Sequence, residues 1–190
     1  MTSLLDRSDF VVKHRPKLME RRVGYDVLDE QGADLGSVVQ VGRDNLEKTL
    51  RPSRADNVQT PFEMSDVAGS VVLALTHVKA FKSSLVVGRP DGSEIGRIRL
   101  ENLLGKSRFA LEVAGARVGA LTAKTWRKRS FVIVDGEMAE IAGIEMTHGS
   151  SGDHSHQNVY EVHVQRPLDD PLRSLAVAAV IAVDLTLWER

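Results

Sequence analysis

The chain has 190 residues and a mass of 20.9 kDa, which is the size of one domain rather than several. Its 25 Lys and Arg residues balance 26 Asp and Glu residues, and this net charge of -1 argues against a protein that coats nucleic acid through a general basic excess. Because there is no cysteine, disulfides, thiolate metal sites and cysteine nucleophiles are excluded.

The N-terminal segment, residues 1–17, is predicted to be a lead-in to a single domain that spans residues 18–190. Asp6 and Arg7 interrupt this segment before any apolar stretch develops, so it does not resemble a signal peptide. We therefore expect a cytoplasmic protein, including a peripheral position on the inner face of the membrane.

A repeated hairpin unit organises the middle of the chain. Each copy has an apolar strand, a turn that contains glycine, and a return strand in which an apolar residue precedes a second glycine. The first glycine allows the positive φ of a tight turn, whereas the second indicates a bulge, a bend or the close approach of another backbone. The copies begin at Tyr25, Leu85, Phe109 and, more loosely, Phe131, and their second glycines are Gly36, Gly96, Gly119 and Gly143.

Further strands are predicted around residues 70–78 and 158–165, and another within 18–28, which makes about ten to twelve strands in all. Residues 43–66 differ from this pattern. A short helix is predicted over 44–50, because its first residue is an aspartate that can cap it, and polar residues follow. We interpret 43–66 as an excursion from the β framework.

Basic residues are concentrated between Val113 and Val134, where there are five cations and no acid. Trp126 lies among them in a predicted loop, and a Trp flanked by cations suits either the headgroup level of an anionic membrane or a phosphorylated ligand. The alternative is a solvated turn whose Trp packs on its own barrel. A second basic stretch, from His77 to Lys82, is a candidate to join this loop in space. The predicted ligand-binding residues are Arg117, Lys124, Trp126, Arg127, Lys128, Arg129, Lys79 and Lys82.

The histidines of the chain do not favour a metal site, and the sequence motifs that would indicate catalysis do not occur. His154 and His156, with Asp153 beside them, have a spacing that could hold a transition metal. Ordering this Gly- and Ser-rich loop around an ion has a high entropic cost, so an exposed loop without a metal is favoured. His14 and His77 have no recognisable partner pattern. Because no nucleophile elbow, P-loop or HExxH motif occurs, we predict a protein that is not an enzyme and needs no cofactor.

The C-terminal segment, residues 172–188, is predicted to be a long helix. It is rich in alanine and apolar on nearly every face, with Pro171 just before it, so it belongs either in a protein interior or in lipid. A membrane span needs about 20 apolar residues, and Asp184 would cost about 3 kcal/mol at membrane depth. A helix buried inside the sheet is therefore favoured over a membrane anchor. Asp169 and Asp170 are interpreted as negative charge at its N-terminus.

The order of these motifs resembles that of a known superfamily. The segment from Pro167 to Asp169, the apolar helix with Asp184 near its end, and the aromatic–Glu pair at 188–189 resemble the C-terminal end of phospholipid scramblases. The first two hairpins are similar to those of the LURP-one-related family. Over residues 18–190 the chain therefore resembles a bacterial member of the tubby C-terminal-like superfamily.

This resemblance implies a mainly β fold, a closed antiparallel barrel of about twelve strands around a buried C-terminal α-helix. It also implies binding of phosphoinositides through a basic surface, as in tubby domains, or calcium-dependent movement of lipids, as in scramblases. The scramblase calcium site precedes the helix, where residues 158–165 of this chain offer only Glu161, too few oxygens for calcium. No metal site is therefore predicted.

The leading functional hypothesis is a non-enzymatic binding or scaffold domain for anionic phospholipid or phosphoinositide headgroups at the cytosolic membrane face. One alternative is a membrane-inserted phospholipid scramblase that uses the C-terminal helix. Another is a structural or stress-related interaction protein without a small ligand. Nucleic acid is not a predicted partner in any of these hypotheses.

Overall fold

Twelve strands form a closed antiparallel barrel around the C-terminal helix in the computed structural model, which describes residues 4–15, 23–42, 58–80, 82–148 and 158–187. This confirms the predicted fold class. A 3-10 helix at Leu4–Asp6 precedes the first strand. The elements of the described chain are β1 (Asp9–His14), β2 (Gly24–Leu28), β3 (Asp34–Gln40), β4 (Val58–Asp66), β5 (Val71–Lys79), β6 (Ser84–Gly88), β7 (Glu94–Asn102), β8 (Arg108–Val113), β9 (Ala116–Ala123), β10 (Ser130–Asp135), β11 (Glu140–His148), β12 (Asn158–Val164) and α1 (Leu172–Leu187).

Each strand pairs with its neighbours in the sequence, and β1 pairs with β12 to close the barrel. Because successive strands run in opposite directions, their connections alternate between the two ends of the barrel. One end, called the turn end here, carries the tight hairpins β2–β3, β4–β5, β6–β7, β8–β9 and β10–β11. The opposite end, called the loop end, carries the described connections β5–β6, β7–β8 and β9–β10.

The helix α1 runs through the barrel from the turn end to the loop end. Every residue from Ser174 to Leu185 is buried, and α1 packs against β5, β6, β7 and β9. The prediction of a core helix is therefore confirmed, although its predicted end at residue 188 lies outside the described residues. No helix in the described part of the chain has the length and apolar character needed to cross a membrane.

The predicted hairpin repeats are confirmed, and the pair β4–β5 adds a fifth that follows the same plan. In all five pairs the register shifts next to the turn, because the return strand carries one extra residue. Such bulges bend a sheet and help it to close. The extra residues are all apolar, and they are buried or packed against the core: Leu35, Val72, Ile95, Val118 and Ile141.

Aspartate side chains stabilise four of these hairpin turns. In each turn the Oδ1 atom of the aspartate accepts a hydrogen bond from the backbone N–H two residues later, which holds the chain in a tight reversal. These aspartates are Asp29, Asp66, Asp91 and Asp135. The turns thus acquire negative charge as a consequence of their local geometry.

Two strands occupy segments for which the sequence predicts something else. β1 lies within residues 1–17, the predicted lead-in, but it belongs to the barrel because Phe10 and Val12 alternate into the core and it pairs with both β2 and β12. β4 lies within 43–66, so this segment is not wholly an excursion from the sheet. Pro61 and the polar residues that alternate with the inward Phe62 and Met64 make β4 hard to recognise. The helix predicted over 44–50 lies outside the described residues.

The second glycines of the repeats differ in how closely another backbone approaches them. A methyl group on Gly119 would lie 2.4 Å from the carbonyl oxygen of Val134, and one on Gly96 would lie 2.6 Å from that of Glu112. At Gly143 the nearest neighbouring atom would be 4.0 Å away. The close approach expected from the sequence is therefore confirmed at Gly96, at Gly119 and at Gly36, where the neighbouring atom is the carbonyl oxygen of Ser65, and it is absent at Gly143.

Substitution of these glycines tests the packing of the barrel wall. Gly119→Ala should lower the free energy of unfolding by about 1–3 kcal/mol, because the new methyl group displaces a backbone carbonyl in a paired strand. Gly143→Ala is the matched control in the neighbouring repeat and should cost distinctly less. Urea denaturation followed by circular dichroism measures both losses. Equal losses would contradict the closer backbone approach at Gly119 than at Gly143.

Candidate functional site

The two predicted basic stretches lie at the same end of the barrel. Lys79 ends β5 and Lys82 lies in the β5–β6 connection, and residues 124–129 form the β9–β10 connection. The β7–β8 connection lies between them and contributes Lys106. The side chain of Lys128 donates a hydrogen bond of 2.8 Å to the carbonyl oxygen of Leu103, which ties two of these connections together.

These connections form a cationic surface that contains no acid in its described loops. We call it the basic rim, and it consists of Lys79, Lys82, Lys106, Lys124, Arg127, Lys128 and Arg129. Within the described chain, Lys124 is the one member that forms an ion pair, at 3.8 Å from Oε1 of Glu145. Most of the positive charge of the basic rim is therefore not neutralised by a neighbouring carboxylate.

Two large apolar side chains project from the basic rim. Leu104 in the β7–β8 connection is 85% exposed, and Trp126 in the β9–β10 connection is 72% exposed. This exposure contradicts the alternative in which Trp126 packs on its own barrel. The guanidinium of Arg127 lies 5.5 Å from the centroid of the Trp126 ring, within the range of a cation–π interaction.

The backbone of the β9–β10 connection holds these side chains in a defined turn. The N–H of Lys124 donates to the carbonyl oxygen of Ser130 at 2.7 Å, and the N–H of Lys128 donates to that of Thr125 at 3.2 Å. Lys128 adopts a φ of 56°, a left-handed conformation that reverses the chain inside the loop. Trp126 and Arg127 consequently lie at the tip of the turn.

Arg117 is the one predicted binding residue that lies apart from the basic rim. It belongs to the beginning of β9, and its guanidinium forms an ion pair of 3.1 Å with Glu101 on the outer wall of the barrel. Arg99 and Glu112 form a similar pair on the neighbouring strands, and this contact raises the pKa of Arg99. Arg117 is near the other cations in sequence, but the strand carries it toward the turn end.

Among the described residues, the hairpin turns and the basic rim carry opposite charge. The described hairpin turns, counted with the aspartates that end β4 and β10 and cap two of them, contain six acids and one cation: Asp29, Glu30, Asp66, Asp91, Asp135 and Glu137, with Arg89. Because α1 begins at the turn end, the positive end of its dipole lies toward the acids and the negative end toward the cations. The net charge of -1 therefore conceals a difference in charge between these hairpin turns and the basic rim.

A buried carboxylate lies in the last turns of α1, beside β1, β2 and β12. Asp184 is fully buried. Its oxygens accept hydrogen bonds from the hydroxyls of Tyr160 at 2.6 Å and Tyr25 at 2.9 Å and from the side-chain amide of Asn158 at 3.0 Å. Nδ1 of His14 lies 3.7 Å from Oδ2, and the His14 ring stacks on Tyr25. Three strands, β1, β2 and β12, thus converge on one helical residue.

The sequence interpretation did not find these partners. The residues lie far apart along the chain, so no local pattern joins His14, Tyr25 and Asn158 to Asp184. The sequence does contain one signal for this cluster. A charged residue in a buried apolar helix needs hydrogen-bond donors, and the only two tyrosines of the chain are candidates to supply them. Burial raises the pKa of Tyr160, and the negative charge of Asp184 raises it further.

A second polar contact joins the basic rim to α1. Nε2 of His77 lies 2.7 Å from the hydroxyl oxygen of Ser83, which in turn lies 3.5 Å from that of Thr186. His77 therefore has a hydrogen-bond partner in the fold, although no partner is recognisable from the sequence around it. The β5–β6 connection is held to the last turn of the helix by this contact.

An acidic groove of about 510 Å³ lies on the outer wall where β1, β12 and β11 meet. Glu145 and Glu161 lie opposite each other across the strand pair β11–β12. Asp9 is hydrogen-bonded to His163, and this bond lowers the pKa of Asp9. This part of the wall is unsuited to an anionic ligand, unlike the basic rim.

The predicted histidine loop, with His154 and His156, lies outside the described residues. Within the described residues, no three metal-ligating side chains are grouped so that they could hold an ion. No family model matches the chain, and no curated protein or solved structure matches it.

Removal of the buried carboxylate tests its contribution to the fold. Asp184→Ala should lower the free energy of unfolding by about 3 kcal/mol, because it leaves two hydroxyls and an amide buried without their acceptor. Ser174→Ala, also on the buried part of α1, removes one hydrogen bond of 2.7 Å to Asp170 and should cost about 1 kcal/mol. Chemical denaturation compares the two variants, and a smaller loss for Asp184→Ala would contradict the clustering.

Alkaline titration tests the environment of Tyr160. In the unfolded chain a tyrosine ionises near pH 10, whereas the raised pKa keeps Tyr160 protonated in the fold. Its contribution to stability is therefore fully present below about pH 10 and is lost as the pH rises above that value.

The Tyr25→Phe variant isolates Tyr160, since the chain has no other tyrosine. Tyrosinate absorbance should appear only together with loss of the native circular dichroism signal. The same variant in concentrated urea provides the control and should titrate near pH 10. Ionisation near pH 10 in a chain that is still folded would be inconsistent with the buried hydroxyl.

Proposed function

We propose that the protein is a non-enzymatic binding domain that docks the loop end of its barrel on a membrane surface containing anionic phospholipid. The observation that carries this proposal is the combination of the basic rim with the exposed side chains of Leu104 and Trp126. Cations attract anionic headgroups, and an aromatic ring with an apolar neighbour suits the interface between headgroups and acyl chains.

The arrangement of charge supports one orientation on the membrane. The acidic turns lie at the far end of the barrel, and the acidic groove lies on its side wall. Both are repelled by anionic lipid, so a barrel that stands on its loop end gives the most favourable electrostatic energy. The cytosolic leaflet, which carries most of the anionic lipid of a cell, is the expected surface.

The burial of α1 supports peripheral docking over insertion of the helix. Inserting α1 into lipid would remove the helix that fills the barrel, and it would separate Asp184 from the hydroxyls that satisfy it. The resemblance to tubby-like proteins also supports this proposal. A twelve-stranded barrel around a C-terminal helix is the architecture that this resemblance implies, and anionic headgroups are the ligand class that it implies.

Flotation with vesicles tests the proposal. Wild-type protein should float with vesicles of phosphatidylcholine that contain phosphatidylserine, and it should remain unbound with phosphatidylcholine alone. Arg127→Glu with Arg129→Glu should weaken binding about tenfold or more, since it reverses two charges of the basic rim. Arg89→Glu with Arg97→Glu is the matched control, because it reverses two charges near the turn end and should leave binding unchanged.

A fluorescence measurement distinguishes contact of Trp126 with the membrane interface from electrostatic attraction alone. In a Trp188→Phe background, Trp126 is the one remaining tryptophan, and its emission should shift to shorter wavelength when anionic vesicles are added. Failure of the wild type to float with anionic vesicles, or an equal loss in the control variant, would overturn the proposal. Such a result would favour an interaction protein without a lipid ligand.

A further inference from the structure

A further exposed apolar side chain lies at the loop end, besides Leu104 and Trp126. Val58 is the first residue of β4 and is 57% exposed. In the antiparallel pair β4–β5 it lies directly opposite Lys79, the last residue of β5 and a member of the basic rim. The side chains of directly opposite residues share one face of a sheet, about 5 Å apart. The basic rim therefore continues onto β4 through an apolar neighbour.

The same pairing of an exposed apolar side chain with a cation occurs at two other connections of the loop end. The ammonium group of Lys128 is held at the carbonyl oxygen of Leu103, beside the backbone that leads into Leu104. The guanidinium of Arg127 lies 5.5 Å from the ring centroid of Trp126. The pairing is therefore found on β4, in the β7–β8 connection and in the β9–β10 connection.

This pairing distinguishes between two kinds of anionic partner. A soluble polyanion, such as a nucleic acid or a free phosphorylated molecule, is attracted by cations and gains little from an exposed Val58 or Leu104. A bilayer offers anionic headgroups to the cations and, just beneath them, acyl chains to the apolar side chains. Removing apolar side chains from water is favourable, so their position among cations favours the bilayer.

We propose that Val58 is a further point of contact with the membrane, and that the partner of the basic rim is a lipid bilayer rather than a soluble polyanion. This inference rests on the proposed docking of the loop end on an anionic membrane. Lys79 binds a lipid phosphate while Val58 beside it enters the acyl boundary, as Leu104 and Trp126 do at their connections. Contacts at three separate connections fix the orientation of the barrel, which a single loop does not.

The other end of the same strand provides a matched control. Val67 follows β4 in the turn to β5 and is 54% exposed, so it resembles Val58 in residue type and in exposure. An extended strand of this length places the two valines about 30 Å apart. Val67 follows the acidic Asp66, whereas Val58 lies opposite a lysine. A bilayer that contacts the loop end therefore does not reach Val67.

Fluorescent labels test the contact directly. Because the chain has no cysteine, Val58→Cys and Val67→Cys each accept a single label that is sensitive to polarity, such as nitrobenzoxadiazole. With vesicles of phosphatidylcholine and phosphatidylserine, the label at position 58 should rise about twofold or more in emission and shift to shorter wavelength, and the label at position 67 should not change. Inositol hexakisphosphate, a soluble polyanion, should shift neither label to shorter wavelength.

A polar substitution measures how much the contact contributes to binding. Val58→Ser should lower the affinity for the same vesicles by about threefold or more, because it removes the apolar contact and keeps every charge. Val67→Ser should bind as the wild type does. Neither valine belongs to the buried core, and the circular dichroism signal establishes that each variant is folded.

The inference is overturned if the label at position 58 does not respond to vesicles that the protein binds, if both labels respond equally, or if folded Val58→Ser binds with unchanged affinity. An equal shift with inositol hexakisphosphate also overturns it, in favour of a soluble polyanion as the partner. In the first three results the wild type still floats with anionic vesicles, so the proposed function stands. Absence of flotation by the wild type overturns both.

Discussion

Burial of α1 is the interaction on which the rest of the structure depends. From Ser174 to Leu185 the helix has no face that suits water, so it must be surrounded on all sides. A flat sheet covers one face of a helix, whereas a closed barrel covers every face and leaves no strand edge exposed. The alanines of α1 keep it thin enough to fit, and the bulges next to the turns bend the wall around it. Each of the five hairpins of the turn end thus helps to close the barrel wall around the helix.

The same requirement explains the polar residues inside the barrel. The helix carries one charged residue into the interior near the loop end, because Asp184 is fully buried there. Such a carboxylate is tolerated only when donors surround it, and Tyr25, Tyr160 and Asn158 supply them from strands on both sides of β1. This cluster fixes the position of the helix along its own axis. Apolar contacts alone define that position poorly. The contact of Ser83 with Thr186 does the same from the other side of the barrel.

The described connections at the two ends of the barrel differ chemically. Tight hairpins favour aspartate because its side chain satisfies the turn backbone, and this makes the turn end acidic. The described connections of the loop end, β5–β6, β7–β8 and β9–β10, have no such aspartate caps and carry cations with Leu104 and Trp126. The two ends therefore differ in the charge that their described connections present to a ligand.

The sequence by itself determined the repeated hairpins, the glycines that the wall requires and the core helix, because turn chemistry, strand alternation and an all-apolar helix are local patterns. It did not reveal β1, a short strand within the predicted lead-in, or β4, which contains Pro61 and several polar residues. It also grouped Arg117 with cations that lie elsewhere. Only the tertiary structure decided that Lys79 and Lys82 share an end with Trp126, that Asp184 is held by two tyrosines, and that Val58 lies opposite Lys79. These are contacts between residues far apart in sequence, and their positions depend on how the strands close around the helix rather than on any pattern within one strand.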